Sequence, residues 1–135
     1  MPTRKFKILL VEDDQALAAA YQTRLEAEGF DIYHCSDGEA ALSDTIKYRP
    51  DLILLDVMMP KISGFDVLDI LHNTPETGGI KVVMITALSQ DSDVERAKSL
   101  GADDYLVKSQ VVIADVVQCI KYHLGLVDRP RLTSA

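Results

Sequence analysis

The chain has no apolar run near the roughly 20 residues that a membrane-crossing helix needs. It also lacks a leader signature: the charged stretch Met1 to Lys7 is followed by only a short apolar run, Ile8 to Val11, which ends in three acids. The expected location is therefore cytoplasmic, with no membrane partner. Cysteine is scarce. Cys35 and Cys119 lie far apart within apolar segments, which favours reduced core thiols over a disulfide, and no metal-binding motif joins them. A basic excess is missing as well. Fourteen basic residues face twenty-one acidic ones, for a net charge of −7, so the surface repels nucleic acid and anionic lipid, and any DNA contact would have to come from another domain.

What is present is enough for one domain. The 135 residues are 47% hydrophobic, which allows a core of useful size. From Lys7 to Leu124, short runs rich in Ile, Val and Leu alternate with longer segments of helical spacing, in five repeats. The expected strands are Lys7–Val11, Asp31–Cys35, Leu52–Asp56, Lys81–Thr86 and Asp104–Lys108. Several are almost wholly apolar, as strands covered on both faces must be, and the first, third and fourth are the central candidates.

Between the strands, Leu17, Tyr21 and Leu25 mark an amphipathic helix that Gly29 stops. Ser36 or Asp37 can cap a second helix carrying Ala41, Leu42 and Ile46, which Pro50 ends. A third runs from Gly64 to Asn73 with Phe65, Leu68 and Leu71 inward, before a loop at 74–79. A fourth uses Val94, Ala97 and Leu100. The last carries the strongest stripe, Ile113, Val116, Val117, Ile120 and Leu124, closed by Gly125. The domain is thus expected to occupy residues 1–125, with 126–135 a C-terminal tail or the start of a linker.

Regular β-then-α alternation predicts an α/β fold: a doubly wound parallel sheet with right-handed crossovers and helices on both faces. Ligands of such sheets bind beyond the carboxyl ends of the strands. There the sequence places Glu12-Asp13-Asp14, Asp56, Thr86-Ala87 and Lys108. Polar loops put acids at strand ends as a matter of course, but Asp56 closes the run Asp51-Leu52-Ile53-Leu54-Leu55, where an unpaired carboxylate is expensive. Bringing Asp13 within about 4 Å of Asp56 would cost roughly 4 kcal/mol at an effective dielectric near 20. Such a cluster calls for a cation. Hard oxygens with no nearby His or Cys favour Mg²⁺, which keeps waters and reaches phosphate oxygens. Lys108 supplies positive charge opposite.

Four motifs in order, Leu10-Val11-Glu12-Asp13-Asp14, Leu54 to Pro60 with Gly64 behind, Ile85-Thr86-Ala87 and Gly101 to Lys108, resemble the receiver domains of two-component response regulators, including chemotaxis receivers. The resemblance implies a flavodoxin-like five-stranded sheet of order 2-1-3-4-5 with five helices. It implies Asp56 as phosphoacceptor. It implies Mg²⁺ held by Asp13, Asp56 and the carbonyl of Met58, with Glu12 acting through water. Lys108 would contact the phosphoryl oxygens, Thr86 would bond the attached phosphoryl group, and Tyr105 resembles the switch aromatic. Asp14 is extra, an acid suited to the start of the first helix. His34, His72 and His123 match no motif.

The implied partners are a sensor histidine kinase or a histidine phosphotransfer protein, docking on Gln15, Ala18 and Gln22, and an output domain or protein, with homodimerisation left open. The expected chemistry is self-catalysed phosphotransfer and autodephosphorylation, not that of a turnover enzyme. Two alternatives fit less well. A flavin site needs a Gly/Ser/Thr-rich loop where Glu12-Asp13-Asp14 stands. A haloacid-dehalogenase-type phosphatase places an acid two residues after its nucleophile, where this chain has Met58. A third alternative, an interaction module that no longer accepts phosphate, rests on Lys108-Ser109, where the family has Lys-Pro. That proline bond is typically cis in the family, and serine removes the small cis penalty of proline, so a trans bond is expected with Lys108 still directed into the cleft.

Overall fold

The computed structural model describes residues 5–128. Five strands, β1 (Lys7–Val11), β2 (Asp31–Cys35), β3 (Leu52–Leu55), β4 (Lys81–Thr86) and β5 (Asp104–Val107), pair in parallel in the order β2-β1-β3-β4-β5. Between and after them run α1 (Gln15–Ala27), α2 (Gly38–Tyr48), α3 (Gly64–His72), α4 (Asp91–Ser99) and α5 (Ile113–His123). β3 is central, and β1, β3 and β4 carry the most deeply buried runs.

Strand residues alternate between two cores, because successive side chains leave opposite faces of a sheet. Ile8, Leu10, Leu52, Leu54, Val83 and Ile85 pack under α1 and α5 with Tyr21, Leu25, Val117 and Ile120. Leu9, Val11, Ile53, Leu55, Val82 and Met84 pack against Phe65, Leu68, Leu71 and Ala97 of α3 and α4, and against Ala41 of α2. Both faces are thus sealed, and unmet polar chemistry is driven to the strand ends. Replacing a fully buried Leu such as Leu54 by Ala would cost about 2–5 kcal/mol.

Caps define the helix starts. The side chains of Asp14, Asp37 and Ser63 accept amide hydrogens of Leu17, Ala40 and Phe65 in the first turns of α1, α2 and α3. Asp37 therefore caps α2, while Ser36 accepts a hydrogen bond from the Gln15 side chain. Asp14, the extra acid of the first loop, is the cap of α1. Gly29 follows α1 at φ +97°, a left-handed conformation that costs glycine little.

Several expectations need correction. β3 and β5 stop one residue early, at Leu55 and Val107, and Lys108–Gln110 form a 3₁₀ turn, so Asp56 and Lys108 stand just beyond their strands. On α2, Ile46 is 53% exposed, and Thr45 takes its place inward. On α1, Ala18 is 1% exposed and belongs to the core with Tyr21 and Leu25, while Leu17 is only half-buried. Ala18 has little surface to offer a partner. The inward stripe runs through 18, 21 and 25, because a residue as small as Ala lets the helix approach the sheet closely. Both cysteines are free and buried. No described helix is long and apolar enough to cross a membrane. Of the expected tail, residues 129–135 lie outside the described residues.

Candidate functional site

Three loops meet at the carboxyl ends of β1, β3 and β5. β1 delivers Glu12 and Asp13, β3 delivers Asp56, and the turn after β5 delivers Lys108. The carboxylates of Glu12, Asp13 and Asp56 approach so closely that one oxygen of each lies within 4.8 Å of the others. Asp56 is only 3% exposed and Glu12 is buried too, whereas Asp13 is open to solvent.

Lys108 answers this charge. Its Nζ lies 2.6 Å from Glu12 Oε1 and 2.8 Å from Asp56 Oδ2. Burial by itself would lower the Lys108 pKa, but its hydrogen bonds to Asp56 and Glu12 outweigh burial and hold it above the ordinary lysine range. Burial pushes the Glu12 carboxyl up, the Asp56 charge adds to this, and the hydrogen bond from Lys108 opposes it. The remaining oxygens are also engaged. Asp56 Oδ1 accepts the Met58 amide at 3.1 Å, and Glu12 Oε2 accepts the Asp14 amide at 3.2 Å.

The peptide bonds of the described residues, Lys108-Ser109 included, are all trans. The 3₁₀ turn absorbs the change in direction, so the loss of proline does not displace the ammonium from the cleft. The departure that left a non-accepting module open therefore leaves the charged constellation intact.

Beside this cluster, Thr86 ends β4, fully buried, and its Oγ1 accepts the Leu88 amide at a long 3.4 Å. Tyr105, half-buried on β5, donates its hydroxyl to the Leu88 carbonyl at 2.9 Å. Burial, then the charges of Asp93 and Asp56, push the Tyr105 phenol up to about 12, so it remains a donor. Both side chains thus hold one residue, Leu88, by opposite sides of its backbone. Ala87 is exposed, and Met58 extends outward at 57% exposure.

Gly64 fixes the Asp56 loop from behind. A Cβ at this position would fall 2.2 Å from the Asp56 carbonyl oxygen and 2.7 Å from Val57 Cα, so only glycine lets α3 start against that backbone. Gln15 is exposed and Gln22 half-buried on α1, and the correction at Ala18 shifts their shared face to Ala19, which is exposed.

The family model for the response regulator receiver domain matches residues 8–120. The chain belongs to the response-regulator receiver family. Among this receiver's curated relatives, the transcriptional regulatory protein CpxR of Escherichia coli K12 is 47% identical over 102 residues, 76% of this chain and 42% of CpxR. The DNA-binding response regulator MtrA of Mycobacterium tuberculosis is 41% identical over 108 residues, 80% of this chain and 46% of MtrA. The receiver spans less than half the length of these relatives. A putative response regulator from Chloroflexus aurantiacus superposes with a TM-score of 0.84 at 28% identity, covering 90% of this chain and 99% of that one. The Mn²⁺-bound form of response regulator Rcp1 does so at 0.79 and 31% identity, covering 93% and 99%.

Sequence reasoning missed two features near the strand ends. A ring nitrogen of His34 on the edge strand β2 lies 2.8 Å from the Glu12 carbonyl and so braces the acidic loop. His123 forms a cluster with Asp104 and Cys119. For the second, the four-residue spacing of Cys119 and His123 was a readable signal, since helical residues so spaced share a face.

Proposed function

We propose that this receiver accepts a phosphoryl group on Asp56 from the phosphohistidine of a sensor kinase or phosphotransfer protein, and that the event reaches a partner through Thr86 and Tyr105. The observation that carries the reading is the setting of Asp56: a buried carboxylate at a strand mouth, bonded to Lys108 and crowded by Glu12 and Asp13. A purely structural aspartate would not be placed against like charges.

The donor set fits a hard divalent cation such as Mg²⁺: Asp13, Asp56 and the Met58 carbonyl as ligands, with Glu12 acting through water. When bound, the cation offsets charge on the acids and on the phosphoryl oxygens. That response regulator Rcp1, 31% identical, has an Mn²⁺-bound form supports a divalent cation here. Asp56 attacks phosphorus in line, the new P–O bond forms as the P–N bond to the donor imidazole breaks, and the imidazole, already protonated on its other ring nitrogen, departs neutral. Lys108 turns its ammonium from Glu12 to the incoming phosphoryl oxygens, stabilising charge that positioning alone would leave exposed. Exposed Ala87 leaves the donor room.

Signalling follows from the shared hold on Leu88. When the Thr86 hydroxyl turns to donate to the phosphoryl group, it releases the Leu88 amide, a long bond that gives way readily. The loop then moves, and the Tyr105 hydroxyl loses its acceptor position. An output domain or partner protein reads that change on the surface of α4, β5 and α5. The domain itself touches no DNA, in keeping with its acidic charge. Its chemistry is one self-catalysed phosphorylation and its slow reversal, not sustained turnover. The donor protein docks beside α1, on the face of Gln15, Ala19 and Gln22.

Intact-mass analysis with a small-molecule phosphodonor and Mg²⁺ tests the reading. A single hydroxylamine-labile adduct, absent without Mg²⁺ and absent in Asp56→Asn, is expected. An adduct retained unchanged in Asp56→Asn would refute it.

A further inference from the structure

A second group of ligating side chains lies at the far edge of the sheet, away from Asp56. Asp104 opens the edge strand β5, and Cys119 and His123 stand four residues apart on α5, so one helical turn brings both to the same face. Asp104 Oδ2 is 3.2 Å from Cys119 Sγ and 2.9 Å from His123 Nε2. The carboxylate, thiol and imidazole donor atoms all lie within 4.8 Å of one another. The three side chains line an open cavity of about 410 Å³, whose walls include Val94, Lys98 and Tyr105.

We infer that Asp104, Cys119 and His123 form a Zn²⁺ site with one coordination position open to this cavity. One sulfur, one imidazole nitrogen and one carboxylate oxygen are a donor set suited to zinc and ill suited to Mg²⁺, which binds oxygen. Zinc sits about 2.3 Å from sulfur and about 2.0 Å from nitrogen or oxygen, so its tetrahedral ligands stand roughly 3.3–3.6 Å apart. The carboxylate oxygen's present spacings of 3.2 Å to sulfur and 2.9 Å to nitrogen are those of hydrogen bonds and lie a few tenths of an ångström short of coordination, and the sulfur and the imidazole nitrogen lie within 4.8 Å of each other. On binding, zinc replaces both the thiol proton that Cys119 now directs at Asp104, which leaves to solvent, and the Nε2 proton that His123 turns toward the same carboxylate, the imidazole taking its neutral Nδ1–H form. The fourth ligand is a water from the cavity.

A catalytic cysteine is the competing use of these residues, and the geometry opposes it. The imidazole is bonded to Asp104, and the thiol has a carboxylate rather than a base with a cationic form as its partner. Burial and the Asp104 charge push the Cys119 thiol up, away from the nucleophilic thiolate. The ion would tie β5 to α5 beside Tyr105, on the surface where phosphorylation is proposed to be read.

Co²⁺ titration of the full chain tests the site, with Zn²⁺ as competitor. One equivalent of Co²⁺ should produce a thiolate-to-cobalt charge-transfer band and the visible bands of a four-coordinate site, both abolished by Zn²⁺. The acidic cluster at Asp56 offers only oxygen and cannot give the charge-transfer band, so Asp56→Asn and Cys35→Ser should retain it. Cys119→Ser should lose it, and His123→Ala should weaken Zn²⁺ affinity at least tenfold, on the order of a lost metal interaction. Absence of the band in the wild type, or its persistence in Cys119→Ser, would overturn the proposal. If Cys119→Ser does not fold, the half-buried His123 decides: unchanged Zn²⁺ affinity in His123→Ala is equally fatal.

Discussion

Aspartates stand at both ends of the sheet, and they are held in opposite ways. At the amino end, Asp51 accepts the Lys7 amide at 2.8 Å and Asp103 accepts the Val82 amide at 2.8 Å, so each ties an N–H among the first two residues of a neighbouring strand. At the carboxyl end, Asp56 and Asp13 face Glu12 and one another, and the balancing charge arrives from Lys108, 52 residues from Asp56 in sequence. The first arrangement answers a backbone need. The second concentrates negative charge where the fold asks for none. A carboxylate that ties a strand amide completes the architecture, and one crowded by other carboxylates has a setting that the architecture does not require.

The largest test of this contrast is loss of labelling. Asp56→Asn should abolish Mg²⁺-dependent phosphorylation by a small-molecule donor, while Asp51→Asn should leave the intact-mass adduct in place. Equal loss in a folded Asp51→Asn protein would break the comparison.

Next in size is Lys108→Ala. It should slow labelling about 100-fold, the usual effect of removing one group that stabilises developing charge, with Mg²⁺ affinity preserved in a fluorescence or calorimetric titration. Loss of Mg²⁺ binding instead would make Lys108 a scaffold for the acids rather than a partner of phosphate.

Asp103→Ala should act on stability alone. It leaves the Val82 amide without its acceptor and should lower unfolding free energy by about 1–3 kcal/mol in urea, with labelling of the folded fraction unchanged. Ala19→Arg, on the exposed face of α1, should slow transfer from a protein donor about tenfold, roughly 1.4 kcal/mol, and leave the small-molecule reaction alone. Equal slowing with both would move the docking face elsewhere.

The smallest effect is one of pH. The Lys108 pKa is raised on folding above its ordinary 10.5, so its stabilising contribution is complete below that value and is lost as pH rises through the higher folded value. Thermal midpoints measured through this alkaline window should fall more for the wild type than for Lys108→Met. Parallel curves would show that the ion pairs add nothing.

Much of this molecule was legible in its sequence because strand and helix periods differ so clearly. Runs such as Leu52 to Leu55 admit only a doubly covered strand, and the glycine and aspartate boundaries fell where expected. Which residue of a helical stripe turns inward was less legible. Neighbours one position apart differ by only about 100° around the axis, and the close approach that small Ala18 permits, or the Thr45 hydroxyl bonding back to Ala41, settles the choice. The grouping of Glu12, Asp13, Asp56 and Lys108 could be read because each stands just past the end of a strand. Of the Asp104, Cys119 and His123 group only the shared helix face of Cys119 and His123 could be read, since Asp104 joins them through the packing of α5 over β5. The hold of Thr86 and Tyr105 on Leu88 was hidden for a similar reason: it runs through backbone atoms, which carry no letter in the sequence.

Gly64 limits how this receiver can be tuned. The atoms that would collide with a side chain there belong to the backbone of Asp56 and Val57, which cannot swing aside as a flexible side chain would. A single added methyl would therefore push on the loop that carries Asp56. Substitutions are accommodated more readily at Met58, two residues beyond Asp56, whose side chain is exposed to solvent and has no such backbone against it. One side of the Asp56 loop is thus open to change in sequence, and the side that Gly64 occupies is closed to it.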